Sequence, residues 1–200
     1  MLKINKSVKL GGFKFDILFP YNFRESTELV GQHSFEDLKI KVSNTDHFDI
    51  MSDQKIIAVL LHELLHAVEH VYWNDGCMTE SEVDMVARGM FQIINNNKFE
   101  LNKIPKKINI LGFKYDIIYP YIFVDEDNCI TASFNEKCQI YIGNSSRIEV
   151  SFSYLLAQYV SAIFTINMSP PPVPDGLRIG RGLYDLFVNN PWLIPLIKSV

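Results

Sequence analysis

His62, His66 and the glutamate beside the first of them, within VLLHELLHAVEH (Val59–His70), are the residues of this chain best suited to chemistry. Residues four apart share a helical face, so the two imidazoles can aim at one point. Two neutral imidazoles begin a tetrahedral zinc site, which needs a third protein ligand and an open fourth position if it is to activate water. Glu63, rotated about 100° from His62 around a helix, would lie beside that open position. A carboxylate there can take a proton from metal-bound water and pass it to a leaving amine. The three polar residues interrupt the otherwise apolar run Ile56–Val68. Burying them without partners would cost about 1–3 kcal/mol each, so the pattern points to a metal rather than to an accident of an apolar helix.

The third ligand must come from elsewhere, and MTESEVDMVARG (Met78–Gly89) offers Glu80, Glu82 and Asp84. Thr79 and Glu82 have the spacing of a capping box, which gives Glu82 a structural task at a helix start. Glu80 and Asp84 share a face at i, i+4 and could place one carboxylate on zinc and a second behind a histidine. Glu82 stays open as an alternative ligand. His70 continues the 62/66 face one turn further on, where a surface or supporting role is expected, and His33 and His47 read as exposed polar residues in loops.

The motif His62-Glu63-Leu64-Leu65-His66 with Glu80-x-x-x-Asp84 resembles the zincin metallopeptidases of the gluzincin branch, whose third ligand is a Glu in an E-x-x-x-D segment of a following helix. The wider context, LLHELLHA and ESEVDMVA, is similar to minimal zincin domains of bacteria and their phages, including small peptidases that cleave phage-type repressors. The resemblance covers about Gly31 to Asn97. It implies Zn2+ held by His62, His66 and Glu80, Glu63 as the base, Asp84 in support, and a protein or peptide substrate. The chain departs from the metzincins, since Tyr72 stands where their third histidine would be. No second lobe with a residue to stabilise the transition state is recognisable, and Tyr72 is only a candidate for that task.

The elements that must position these residues are legible as periods. Phe13, Phe15, Ile17 and Phe19 alternate with polar residues up to Pro20, and Leu38–Val42 (LKIKV) alternates likewise, so both segments predict strands. The sheet edge near LKIKV is the expected place for an extended peptide to pair. Ser52 predicts a helix N-cap, the helix running to about Tyr72 with Asn74-Asp75-Gly76 as its stop, and a second helix is predicted from Thr79 to about Asn95.

The same plan recurs. GFKFDILFPYNF (Gly12–Phe23) and GFKYDIIYPYIF (Gly112–Phe123) are identical at eight of twelve positions, SFEDLKIKVSN (34–44) matches SFNEKCQIYIGN (133–144) with one insertion, and LLHELLHAV (60–68) falls on LLAQYVSAI (155–163). ARGMFQIINNN (87–97) falls on GRGLYDLFVNN (180–190). The expected fold class is therefore α+β, a tandem duplication of a minimal zincin-like unit in which a small sheet is followed by two helices. The expected domains are 1–97, with the site, and 98–200, a degenerate repeat, joined through Asn95–Lys107. In the second copy Ala157, Gln158 and Ser161 replace His62, Glu63 and His66, Glu80 and Asp84 fall near Val173 and Leu177, and SPPPVP (169–174) replaces the start of the second helix. Such a copy cannot hold the metal. Packing against the active half as a scaffold is its simplest use.

Composition limits the alternatives. The chain has 200 residues, 48% apolar and 21% charged, which describes a folded protein. A net charge of −4 provides no basic footprint for nucleic acid. No apolar run reaches the roughly 18–20 residues of a membrane span, and MLKINKSVKLGG lacks a secretory apolar core, so a cytoplasmic protein is expected. Cys77, Cys129 and Cys138 are odd in number and without metal-knuckle spacing, in keeping with a reducing compartment. The leading expectation is a zinc-dependent metallopeptidase. The alternative is a non-catalytic binding or inhibitory protein of phage type that keeps zinc for stability.

Overall fold

The computed structural model describes residues 2–24, 26, 28–73, 78–123, 132–135, 138–143, 147–167 and 176–200, with backbone alone at 132–135 and 176–177. The expected helix stop at Asn74-Asp75-Gly76, Cys77, Cys129, SPPPVP (169–174) and Val173 lie outside the described residues.

The fold is mixed α+β, with small sheets and five helices among the described residues. In the first half β1 (Ser7–Leu10) and β2 (Phe13–Leu18) form a hairpin whose turn residues, Gly11 and Gly12, have φ of 56° and 84°. Positive φ at both positions suits the two-residue turn that matches strand twist. Gly11 has a second reason to lack a side chain, because a β-carbon there would overlap Val71 Cγ1. The corresponding turn of the second half tolerates Leu111 at φ 49°.

Strands β3 (Gly31–Ser34) and β4 (Lys39–Val42) complete a sheet in the order β1-β2-β4-β3. The β1/β2 and β3/β4 pairs are antiparallel and β2/β4 is parallel. Two strands, β1 and β3, thus join the two predicted from periodicity. This corrects the expected location of the sheet edge: LKIKV is internal, paired on both sides, and the edges are β1 and β3, with β3 the one beside it. The alternation of β4 is the ordinary result of one buried face, which an internal strand shares with an edge strand.

A small hairpin, β5 (Thr45–Asp46) and β6 (Asp49–Ile50), leads to helix α1 (Asp53–Tyr72). As predicted, Ser52 caps α1, its side chain accepting from the Lys55 N–H. Helix α2 (Glu80–Asn96) begins with the full capping box, Thr79 and Glu82 each accepting from the other's backbone N–H.

The second half holds β7 (Lys107–Ile110), β8 (Phe113–Tyr121), β9 (Ala132–Asn135) and β10 (Gln139–Gly143) in the order β7-β8-β10-β9, with the same sequence of antiparallel, parallel and antiparallel pairings. Helices α3 (Ile148–Ile166), α4 (Gly176–Asn189) and α5 (Leu193–Lys198) follow. Phe19-Pro20 and Tyr119-Pro120 are both cis.

One hydrophobic core runs through both halves, joining Leu60, Leu64 and Val68 to Ile163, Leu183 and Phe187. The contacts across it are reciprocal. At the end of α2, Asn97 donates to Asn109 O and accepts from Asn109 N–H on β7. After α4, Asn190 does the same with Lys9 O and N–H on β1. Gly89 of α2 lies against Ile163 of α3, and Gly182 of α4 against Val68 and Tyr72 of α1. Each second helix therefore crosses the other half's first helix at a glycine, where the missing side chain permits close approach. This braces α1 from behind, leaving its polar face toward β3 and α2. Among the described residues no helix is long and apolar enough to cross a membrane.

Candidate metal centre

Helix α1 is buried along most of its length, and its polar residues cluster where α2 begins. His62 and His66 point the same way, with their Nε2 atoms 3.1 Å apart. The capping box fixes the first turn of α2, and Glu80 projects from it so that Oε2 lies 3.2 Å from His62 Nε2 and 3.4 Å from His66 Nε2. Zinc with ligands at about 2.0–2.1 Å in tetrahedral array separates those ligands by roughly 3.3–3.4 Å, so the three donors have the spacing of one face of such a site. Two imidazoles and a carboxylate are also the right chemistry for zinc. Among the described residues, these three form the group that could hold a metal ion.

Glu63 is the next residue around the helix and is 7% exposed. Burial pushes its carboxyl up to about 7, partly opposed by His66 and by the His33 backbone N–H that donates to it. A carboxyl group titrating near neutrality can both accept and return a proton at physiological pH. The pKa of His62 is lowered, first by burial and then by the charge of His66 beside it. That of His66 is raised, principally by the neighbouring Glu69 carboxylate, against the effect of burial.

The other sequence candidates are placed as follows. Asp84 stands behind His62, its Oδ1 3.9 Å from Nδ1, while its Oδ2 pairs with Arg88 at 2.6 Å. Glu82 is turned back into the cap, where it accepts from Thr79 N–H and Oγ1–H at 2.7 and 2.8 Å, away from the donor triangle. His70 stacks on Phe35 with ring centroids 3.7 Å apart. His33, expected in an exposed loop, lies instead on β3 with its Nε2 buried, because the strand turns that side chain inward toward Phe15 and His70. His47 occupies the exposed tip of the β5–β6 hairpin. Tyr72 is committed elsewhere: its hydroxyl interacts with Asp185 of α4, and burial together with that carboxylate pushes it up to about 12.

Three further residues belong to the neighbourhood. Glu69, one turn beyond His66, is 3% exposed, and Arg88 steadies Asp84. Gly31 allows β3 to approach α1, since a β-carbon there would overlap the Glu63 carboxylate and lie 2.7 Å from Val59 Cγ1. Glu69 could have been suspected as a further polar interruption of an apolar helix. Gly31 carries no local signal, because its role depends on a contact with a segment some thirty residues away.

A cleft of about 530 Å³ opens beside the triangle, with Leu29, Ala58 and Val59 supplying apolar wall and Lys55, Glu80 and Arg88 supplying charge. In the second half Ala157 is buried and Gln158 and Ser161 are half-buried on α3, with no group able to hold a metal among the described residues there. Comparison of the chain with protein-family models, with curated proteins and with solved structures finds no match.

Proposed function

We propose that the chain is a zinc-dependent metallopeptidase of zincin type acting on a protein or peptide substrate in the cytoplasm. In this reading the second half is a degenerate copy of the same unit, retained as a scaffold. The observation that carries the reading is the triangle of His62 Nε2, His66 Nε2 and Glu80 Oε2 with edges of 3.1 to 3.4 Å, set beside the buried carboxyl of Glu63. The repeated strand order and the reciprocal contacts of Asn97 and Asn190 support the tandem-copy reading.

His62, His66 and Glu80 would hold the zinc, which would supply a Lewis acid to polarise a carbonyl and to acidify water. Glu63 accepts a proton at its carboxylate and returns it to the departing amine. Asp84 orients His62 through Nδ1, with Arg88 fixing the carboxylate. β3 pairs with β4 along one side, and its other side gives an extended peptide an edge to pair with. Leu29 and Val59 give the cleft an apolar wall against which a substrate side chain can pack.

The non-catalytic alternative requires a closed site. Three protein donors with a fourth position left to water would mark the hydrolytic reading, and four protein donors the alternative. The test is hydrolysis of unfolded protein substrates by the zinc-loaded chain, compared with Glu63→Gln. Loss of cleavage with zinc retained supports the proposal, and cleavage by Glu63→Gln within a few-fold of wild type refutes it.

A further inference from the structure

Glu69 is a buried titratable group that the hydrolytic mechanism leaves without a task. It sits on α1 one turn beyond His66 and is 3% exposed. Met78 N–H donates to its Oε1 at 2.5 Å, and its Oε2 lies 3.7 Å from His66 Nδ1. Nδ1 is the ring nitrogen that does not face the donor triangle, since Nε2 is the one lying 3.1 Å from His62 and 3.4 Å from Glu80.

Burying a carboxylate is costly unless something compensates it. The apolar frame does not demand one here. In the register that lays Leu60-Leu61 on Leu155-Leu156, position 69 falls on Phe164, which is 0% exposed. The half that carries Ala157, Gln158 and Ser161 in place of His62, Glu63 and His66 thus fills the Glu69 position with a ring. The carboxylate accompanies the donors rather than the fold. Asp84 offers a comparable contact to His62, but its side chain is 43% exposed against 4% for Glu69, so the Glu69 contact is the less screened by water.

We infer that Glu69 is a positioning residue with two attachments. It holds His66 with a proton on Nδ1 and the Nε2 lone pair toward the triangle, and it anchors the segment just before α2. Met78 is two residues ahead of Glu80, so the same carboxylate sets the position from which Glu80 reaches the histidines. One buried side chain thereby registers a donor on α1 with a donor on α2. The functional meaning of this arrangement rests on the metal reading above.

The test combines NMR with zinc titration of the full chain. In zinc-stripped wild type, the neutral His66 ring should carry its proton on Nδ1, and the Met78 amide proton should resonate far downfield. Glu69→Gln keeps size and can still accept from Met78 without a charge. It should shift that amide upfield and weaken zinc binding about 10- to 100-fold, with an unchanged circular dichroism spectrum. A His66 proton found on Nε2 in wild type overturns the proposal, and decides the matter even where Glu69→Gln does not fold. A folded Glu69→Gln that binds zinc within about twofold of wild type also overturns it. A wild type that binds no zinc overturns the metal reading and this inference with it, an outcome separated from the others by the wild-type titration alone.

Discussion

Gly31 on β3 lies against the carboxyl group of Glu63 on α1 so closely that a β-carbon at position 31 would overlap Oε1. The candidate base is therefore held from the strand side by backbone, including the His33 N–H that donates to it. Gly31→Ala should push Glu63 out of place while leaving the three candidate metal donors alone. A displacement near 1 Å at a reacting group costs on the order of 100-fold. Steady-state kinetics should show kcat reduced by about 10- to 100-fold, and competitive titration should show zinc affinity nearly unchanged.

The raised pKa of Glu63 makes a stability prediction for zinc-stripped protein. Its carboxyl group titrates at about 7 in the fold against an ordinary value of 4.5, so the folded state keeps the proton to higher pH. Stability from this group is highest below about pH 4.5, falls as pH rises toward 7, and is level above that. Glu63→Gln removes the charge that burial disfavours, and His62 and His66 titrate in both proteins. Urea denaturation should find the variant more stable at pH 8 by on the order of 3 kcal/mol and the two nearly equal at pH 4. An equal difference at both pH values would contradict the account.

Asn190 provides a test of the shared core. Its side chain is 2% exposed and bonds Lys9 O, Lys9 N–H and Leu186 O at 2.7 to 2.8 Å. Asn190→Ala should destabilise the chain by on the order of 2 kcal/mol by leaving buried groups unpaired. Because Lys9 belongs to the first sheet and Asn190 to the second half, hydrogen exchange should report faster opening in β1 as well as after α4.

Much of the chain was legible before the fold was known. The His62/His66 face, the Ser52 cap and the Thr79–Glu82 box are local patterns, set by helical geometry and by backbone groups within one turn. Strand β2 and strand β4 declared themselves by alternation. What stayed hidden depends on distant segments: β3 (GQHS) has no apolar alternation and becomes a strand by pairing with β4. The inward turn of His33 Nε2, the fit of Gly31 against Glu63 and the diversion of Tyr72 to Asp185 arise where separate elements meet. Glu69 lay between these cases, visible as a polar residue on an apolar helix yet without meaning until Met78 and His66 were placed around it.

The most direct test of the metal centre is competitive zinc titration of the wild-type chain beside His62→Ala, Glu80→Ala and Glu82→Ala. The account predicts about one zinc per chain in wild type, loss of binding with His62→Ala or Glu80→Ala, and near wild-type affinity with Glu82→Ala. That last variant should instead lose about 1 kcal/mol of stability through its cap. Absence of zinc from metal-supplemented wild type, or release of the metal by Glu82→Ala with Glu80→Ala binding normally, would contradict the assignment of His62, His66 and Glu80.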